Sequence, residues 1–178
     1  VRLLKLATHP QVTDLNGSTF TRKATRAIVV NNNNILLLYT QRYDDFSLPG
    51  GGIDENESHL DGLIRELKEE TGAQAISNVK EFGLYREYRP WYKPDFDVVH
   101  MESYCFTCDI DGDLLEPQFE AHEIQNGMKP QWVNIHDAIK HNENTITHSE
   151  KKGMSIERET FLLKLIVEEL IKNRASLL

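Results

Sequence analysis

The sequence predicts one mixed α/β domain, and three observations predict it. Apolar runs of strand length recur over residues 24–30, 35–40, 76–88 and 100–110. A helical period places Leu60, Leu63, Ile64 and Leu67 at i, i+3, i+4 and i+7. An amphipathic tail over residues 156–175 sets Phe161, Leu162, Leu165, Ile166, Leu170 and Ile171 on one side. With no internal repeat or long linker among them, the 178 residues read as one domain, long enough to bury a core.

In chain order, residues 1–20 form an extended entry segment with an Asn16-Gly17 turn signal. Strands at 24–30 and 35–40 flank four asparagines, which tolerate the left-handed angles of a tight turn, so the pair reads as a hairpin. Leu48-Pro49-Gly50-Gly51-Gly52 cannot be regular structure; three successive glycines suit unusual backbone angles or close approach to a ligand. The helix over 58–71 has Ser58 as N-cap with Asp61 three residues on, and Gly72 as its stop. Gly62 inside it costs about 1 kcal/mol against Ala. Strands follow at 76–88 and 100–110, then an Asp111-Gly112 hairpin turn before Leu114-Leu115. A last strand at 132–135 precedes a short helix at 137–141. The apolar stripe of the tail either closes the core, the commoner outcome, or forms a homodimer contact.

Composition excludes several classes. At 39% hydrophobic and 27% charged, the chain is too apolar for a disordered one. No apolar run approaches the length of a transmembrane helix, and the opening VRLLKLATHPQ is too polar for a signal peptide, so a soluble, cytoplasmic protein is expected. The chain begins at Val1 rather than methionine, leaving room for residues ahead of it. Net charge is −8, which does not attract a polyanion, so nucleic acid is an unlikely partner and an anionic substrate needs a local offset such as a divalent metal.

That offset has an address. Glu66, Glu69 and Glu70 stand three and four apart, which places three carboxylates together on the face opposite the leucine stripe. Like charges so spaced destabilise a bare helix by a few tenths of a kcal/mol per pair. A hard divalent cation turns that repulsion into a site, and magnesium (with manganese as substitute) takes such oxygen ligands while sharing its shell with substrate phosphates. Arg65, four residues before Glu69, is placed to hold the carboxylates.

The segment from Gly51 to Ala73 resembles the Nudix box, G-x5-E-x7-R-E-U-x-E-E-x-G-U with U apolar. Gly51, Glu57, Arg65, Glu66, Leu67, Glu69, Glu70, Gly72 and Ala73 meet it at every position. The resemblance implies an α/β/α sandwich with a mixed β-sheet and a catalytic loop–helix–loop, its core at about 20–140 and a helical extension at about 155–175. It also implies a metal-dependent hydrolase of a phosphoanhydride bond in a nucleoside diphosphate derivative, a small-molecule substrate. In that family likeness Glu66, Glu69 and Glu70 hold metal or act as base, the Gly50 or Gly51 carbonyl adds a ligand, and Glu57 pairs with Arg65. Glu120 and Glu123 occupy the region where an additional carboxylate is commonly found. A solvated acidic helix face would explain the glutamates alone, but not the glycines, Glu57 and Arg65 at fixed offsets. Two other functions stay open: a catalytically silent nucleotide-sensing module, against which stands the complete glutamate set, and an RNA-end or cap hydrolase, against which stands the acidic balance.

Weaker signals complete the inventory. Arg42, just before the glycine loop, is placed to reach a phosphate. Arg86, Tyr88 and Arg89 lie in an aromatic and basic stretch over 85–94, read as a loop that either contacts substrate or covers the core. Cys105 and Cys108 sit three apart in a strand and point to opposite faces, which reads as packing. The Asp109-Asp111-Asp113 run ending at Glu120 imitates a calcium loop but has Leu114 where glycine is required.

Overall fold

A computed structural model describes residues 1–175. Two four-stranded sheets form its centre. The first has the order β1 (Leu3–Thr8), β6 (Ala75–Pro90), β7 (Val98–Asp111), β2 (Thr19–Ile28). It is mixed: β1 runs parallel to β6, and β2 parallel to β7, while β6 and β7 are antiparallel. The second is antiparallel around β4 (Asn34–Thr40), which pairs with β3 (Val30–Asn31), β5 (Asp45–Ser47) and β8 (Met128–Asn134).

The apolar run of β4 is buried on both faces, as a continuous apolar strand should be. Ile35 and Leu37 join a cluster with Ile28, Phe46, Leu162, Leu163 and Ile166. Leu36 faces the other way, to Ala27, Val29, Leu63, Leu67 and Phe106. Helix α1 (His59–Thr71) closes that second face; α3 (Ile135–His148) and α4 (Ile156–Ile166) close the first. The result is the expected helix–sheet–helix layering, with one mixed sheet and one antiparallel sheet. Each fully buried leucine contributes about 1.5–3 kcal/mol. Beyond α4 a π-helical turn (Val167–Ile171) leads to α5 (Lys172–Ala175), and Phe161, Leu165, Leu170 and Ile171 pack against the core.

Several local expectations are corrected. The hairpin through the asparagines forms only at its tip, where β3 turns through Asn32 at φ 56° to pair Val30 with Ile35 and Asn31 with Asn34, whereas residues 24–28 belong to β2 and pair with β7. The chain passes between sheets near Val29, so the apolar run serves both. Residues 113–120 form no strand; this irregular segment instead satisfies carbonyls at the end of α1, through Leu115 N–H to Gly72 O (2.8 Å) and Gln118 N–H to Glu69 O (2.7 Å). The stretch over 85–94 is mostly strand, since β6 extends to Pro90. The helix expected at 137–141 is the longer α3, capped by Asn134, whose Oδ1 accepts from His136 N–H at 2.9 Å. Cys105 and Cys108 do face opposite clusters, and burial raises their thiols to about 12 and 11. Among the described residues no helix is long and apolar enough to cross a membrane.

Candidate active site

The Leu48–Gly52 loop lies against β2. Ala27 N–H donates to Pro49 O (2.8 Å), Thr25 N–H to Gly51 O (3.0 Å) and Ile53 N–H to Lys23 O (3.0 Å). Gly50 holds φ at +143°, and a Cβ there would stand 2.0 Å from the Thr25 carbonyl oxygen, so no side chain fits. A Cβ on Gly51 would meet the Glu66 carboxylate at 2.5 Å, so the close approach there is to a side chain of the protein itself. Gly62 also acquires a reason: its bare Cα faces Glu57 Oε2, 3.1 Å from where a Cβ would stand.

Ser58 caps α1, accepting from Asp61 N–H at 3.1 Å, and Gly72 ends it in the left-handed region. The helix does not present its three glutamates opposite the leucines. Glu70 follows Leu63 and Leu67 at i+7 and i+3, shares their buried side, and is only 4% exposed. Glu66 and Glu69 turn toward the cleft, their side chains 13% and 39% exposed, and Leu60, counted in the buried stripe, is exposed.

Arg65 gathers the cluster. Its Nε and Nη2 donate to the two oxygens of Glu57 (2.8 and 2.9 Å), a bidentate pair. Its Nη1 reaches Glu66 Oε1 (2.9 Å) and Glu69 Oε2 (3.3 Å), and Nη2 also reaches Gly52 O (3.0 Å). The guanidinium holds the Glu57 carboxyl down at about 2. Burial raises Glu66, against the opposing pull of Arg65. Burial raises Glu70 further, offset in part by the Gly50 N–H that donates to its Oε2 at 2.6 Å.

All of these groups but Glu57 line an open cleft of about 750 Å³, and Glu120 and Glu123 line it too, Glu123 near enough to act on the charges of Glu66 and Glu70. The irregular segment after β7 carries Glu120 and Glu123 there, and Glu123 begins the short α2 (Ala121–Gln125) by accepting from Glu120 N–H at 2.7 Å. Within the cleft, then, are Glu66, Glu69, Glu70, Arg65, Gly50, Gly51, Glu120 and Glu123. Glu57 stands behind, as the partner of Arg65.

The other candidates lie elsewhere. Arg42 bonds Asn126 Oδ1 at 3.1 Å and is not among the cleft residues. Arg86 is held by Glu102 (3.1 Å), Tyr88 stacks on His100 with centroids 4.7 Å apart, and Arg89 is held by Glu87 (2.7 Å) and Ser155 (3.1 Å). Strand pairing of β6 with β7 gives Arg86 and Tyr88 partners that a loop would not supply, while Arg89 is held within β6 and from the start of α4. Sequence reasoning missed the β2 wall: Phe20, Arg22, Ala24 and Arg26 line the cleft as alternate residues of one strand, with Met101 opposite Arg22 in register. The signal was the period of two in that strand, legible once the glycine loop is known to lie along it.

The donor set suits a hard divalent cation. Six carboxylates (Asp54, Glu66, Glu69, Glu70, Glu120, Glu123) share the cleft with Gly50, and burial penalises Glu66 and Glu70 when charged. Among the described residues no three acidic, histidine or cysteine side chains close around one metal position.

Residues 21–152 match the NUDIX domain family. The uncharacterised Nudix hydrolase YvcI of Bacillus subtilis is 34% identical over 119 residues, 67% of this chain and 70% of that one. An RNA pyrophosphohydrolase of Bartonella henselae is 46% identical over 57 residues, 32% of this chain and 30% of that protein. Another, from Ruthia magnifica subsp. Calyptogena magnifica, is 34% identical over 82 residues, 45% and 44% of the two chains. The chain thus spans less than half the length of these two relatives. Among solved structures, the MutT protein of Bacillus halodurans superposes with a TM-score of 0.53 at 24% identity, over 67% of this chain and 72% of that one, a likeness of fold.

Proposed function

We infer the reaction from one premise: this chain belongs to the NUDIX domain family and is a Nudix hydrolase. We propose that it cleaves a phosphoanhydride bond in a nucleoside diphosphate derivative by attack of water on phosphorus. The observation that carries this reading is the convergence of the α1 glutamates and the Gly50 loop on one open cleft.

Glu66, Glu69 and Glu70, with the Gly50 carbonyl, would hold magnesium, which when bound supplies Lewis acidity toward phosphate oxygens and water. Arg65 keeps the Glu66 and Glu69 carboxylates in fixed orientation, itself braced by Glu57. Glu120 and Glu123, in the same cleft, are the candidates to take the proton of the attacking water, together with Glu66. Arg22, on the cleft face of the β2 wall, offers positive charge that the distal phosphates of an anionic substrate need against a chain of net charge −8. Phe20 and Met101 beside it offer apolar surface for a base.

A second substrate class, the 5′-triphosphate end of RNA, is supported by the two relatives named RNA pyrophosphohydrolase, which match about a third to under half of this chain. The same cleavage would serve both classes.

The test is a hydrolysis panel in Mg2+ covering nucleoside triphosphates, nucleotide sugars, dinucleoside polyphosphates and 5′-triphosphorylated oligonucleotides, with Glu70→Gln as control. The expected result is metal-dependent release of a phosphorylated product from one class. Turnover by Glu70→Gln should fall roughly a hundredfold or more, within the span attributed to a catalytic acid–base or metal-holding group. A folded chain that binds a nucleotide and hydrolyses nothing would favour the sensing module instead.

A further inference from the structure

The glycine loop is held from two sides, and only one of them is the family's glutamate helix. On the other side stands α4. Leu48 N–H donates to Glu159 Oε2 at 2.9 Å. The second oxygen of Glu159 accepts from Arg158 Nε and Nη2 (3.1 and 2.8 Å) and lies 3.9 Å from Arg26 Nε. Arg26 in turn donates through Nη1 to the Gly50 carbonyl at 2.6 Å. Behind them Arg158 donates to Glu87 at 2.6 Å, and Glu87 also accepts from Arg89.

Glu159 and Arg158 are 1% and 3% exposed in their side chains. Burying charge at that depth costs several kcal/mol per ion, and apolar residues of similar volume close a core as well or better. The charges therefore need another reason, and their bonds supply one. Glu159 and Arg26 both end on the loop, two residues apart. Gly50 is consequently fixed at both ends of its residue: its N–H donates to Glu70 and its carbonyl accepts from Arg26.

We propose that Glu159 and Arg26 are positioning residues that clamp the Leu48–Gly50 backbone, so that the C-terminal helix α4 is a working part of the site. The clamp sets the direction of the Gly50 carbonyl and the seat of the Glu70 carboxylate. Its catalytic consequence rests on the reaction proposed above; its effect on the loop does not.

Hydrogen–deuterium exchange of the full-length chain tests it, alongside kcat and KM on the substrate found in the panel. Arg26→Met removes the bond to Gly50 and leaves Glu159 paired with Arg158. Exchange at the amides of Leu48, Gly50, Thr25 and Ala27 should rise at least about tenfold, the worth of one charge-assisted hydrogen bond, while β6 and β7 stay protected. The kcat should fall by about the same factor with KM within about twofold, since the loop acts on the reacting groups and not on binding alone. Arg26→Lys should rescue part of both. Glu159→Gln should move exchange and kcat in the same direction; if it fails to fold, the two Arg26 variants decide. Glu169→Gln, which breaks only the exposed ion pair with Arg2 on the same C-terminal segment, should match wild type in both readouts. Wild-type exchange over 47–52 in Arg26→Met overturns the clamp even if no substrate is found. Faster exchange with unchanged kcat overturns its role in the reaction.

Discussion

Two clusters of charge flank the glycine loop and are built on opposite principles. In the cleft one guanidinium, Arg65, serves Glu57, Glu66 and Glu69, and Glu70 beside them has a backbone N–H as its donor. Behind the loop three guanidiniums (Arg26, Arg89, Arg158) face two carboxylates, Glu87 and Glu159. The open cluster carries an excess of negative charge, and the Arg65 side chain that ties it is 29% exposed. The sealed cluster is near balance and almost wholly buried. The difference follows from solvation. Water or an arriving cation can offset excess charge in an open cleft, whereas a buried cluster must be balanced from within. Reactivity and rigidity are thus assigned to the two sides of one loop.

The comparison breaks most visibly at the arginines. Arg158→Met leaves buried Glu87 with Arg89 alone, and buried Glu159 with the Leu48 N–H and a distant Arg26, and should cost about 3 kcal/mol in chemical denaturation. Arg65→Met should cost less, about 1–2 kcal/mol, because its partners border an open cleft that water can enter, yet should slow turnover at least about tenfold. Equal stability losses in the two variants would erase the distinction between a balanced interior and a poised cleft.

A smaller effect comes from Asp45, 5% exposed, which lies with Arg158 and Glu159 around a cavity of about 170 Å³. Burial, then the charges of Glu159 and Asp44, raise its carboxyl to about 7. The folded chain therefore keeps this proton at pH values where the unfolded chain, near 3.8, has lost it. More protons bound in the folded state means that stability declines as pH rises from about 4 to about 7, then levels. Asp45→Asn should flatten that decline and leave the variant the more stable one at pH 8, read from denaturation midpoints at pH 5 and 8. A decline of equal size in the variant would remove Asp45 as its source. Smallest of all, Arg2→Ala breaks an exposed pair with Glu169 and should move stability by less than about 1 kcal/mol.

Much of the candidate site was legible before any fold was known. The glycines, Ser58, Arg65 and the glutamates act within one loop and one helix, where positions a few residues apart must meet, and Glu57 lies eight residues from its partner. The spacing of Leu63, Leu67 and Glu70 even contained the burial of Glu70, had the period been followed to i+7 rather than stopped at the leucines. The apolar runs of β4, β6 and β7 were found for the same reason, since alternation and length are local properties.

What lay beyond sequence alone joins residues far apart. Glu159 meets Leu48 across 111 positions, and Arg158 meets Glu87 across 71. Arg86, Tyr88 and Arg89 looked available for substrate until the pairing of β6 with β7 gave Arg86 and Tyr88 their partners and the packing of α4 seated Arg89 between Glu87 and Ser155. Sequence by itself determined the chemistry-bearing loop and helix, because their geometry is set by backbone bonds over a few residues. Only the tertiary structure decided which strand forms the opposite wall and which helix locks the loop, because sheet pairing and buried charge balance depend on where distant segments come to rest.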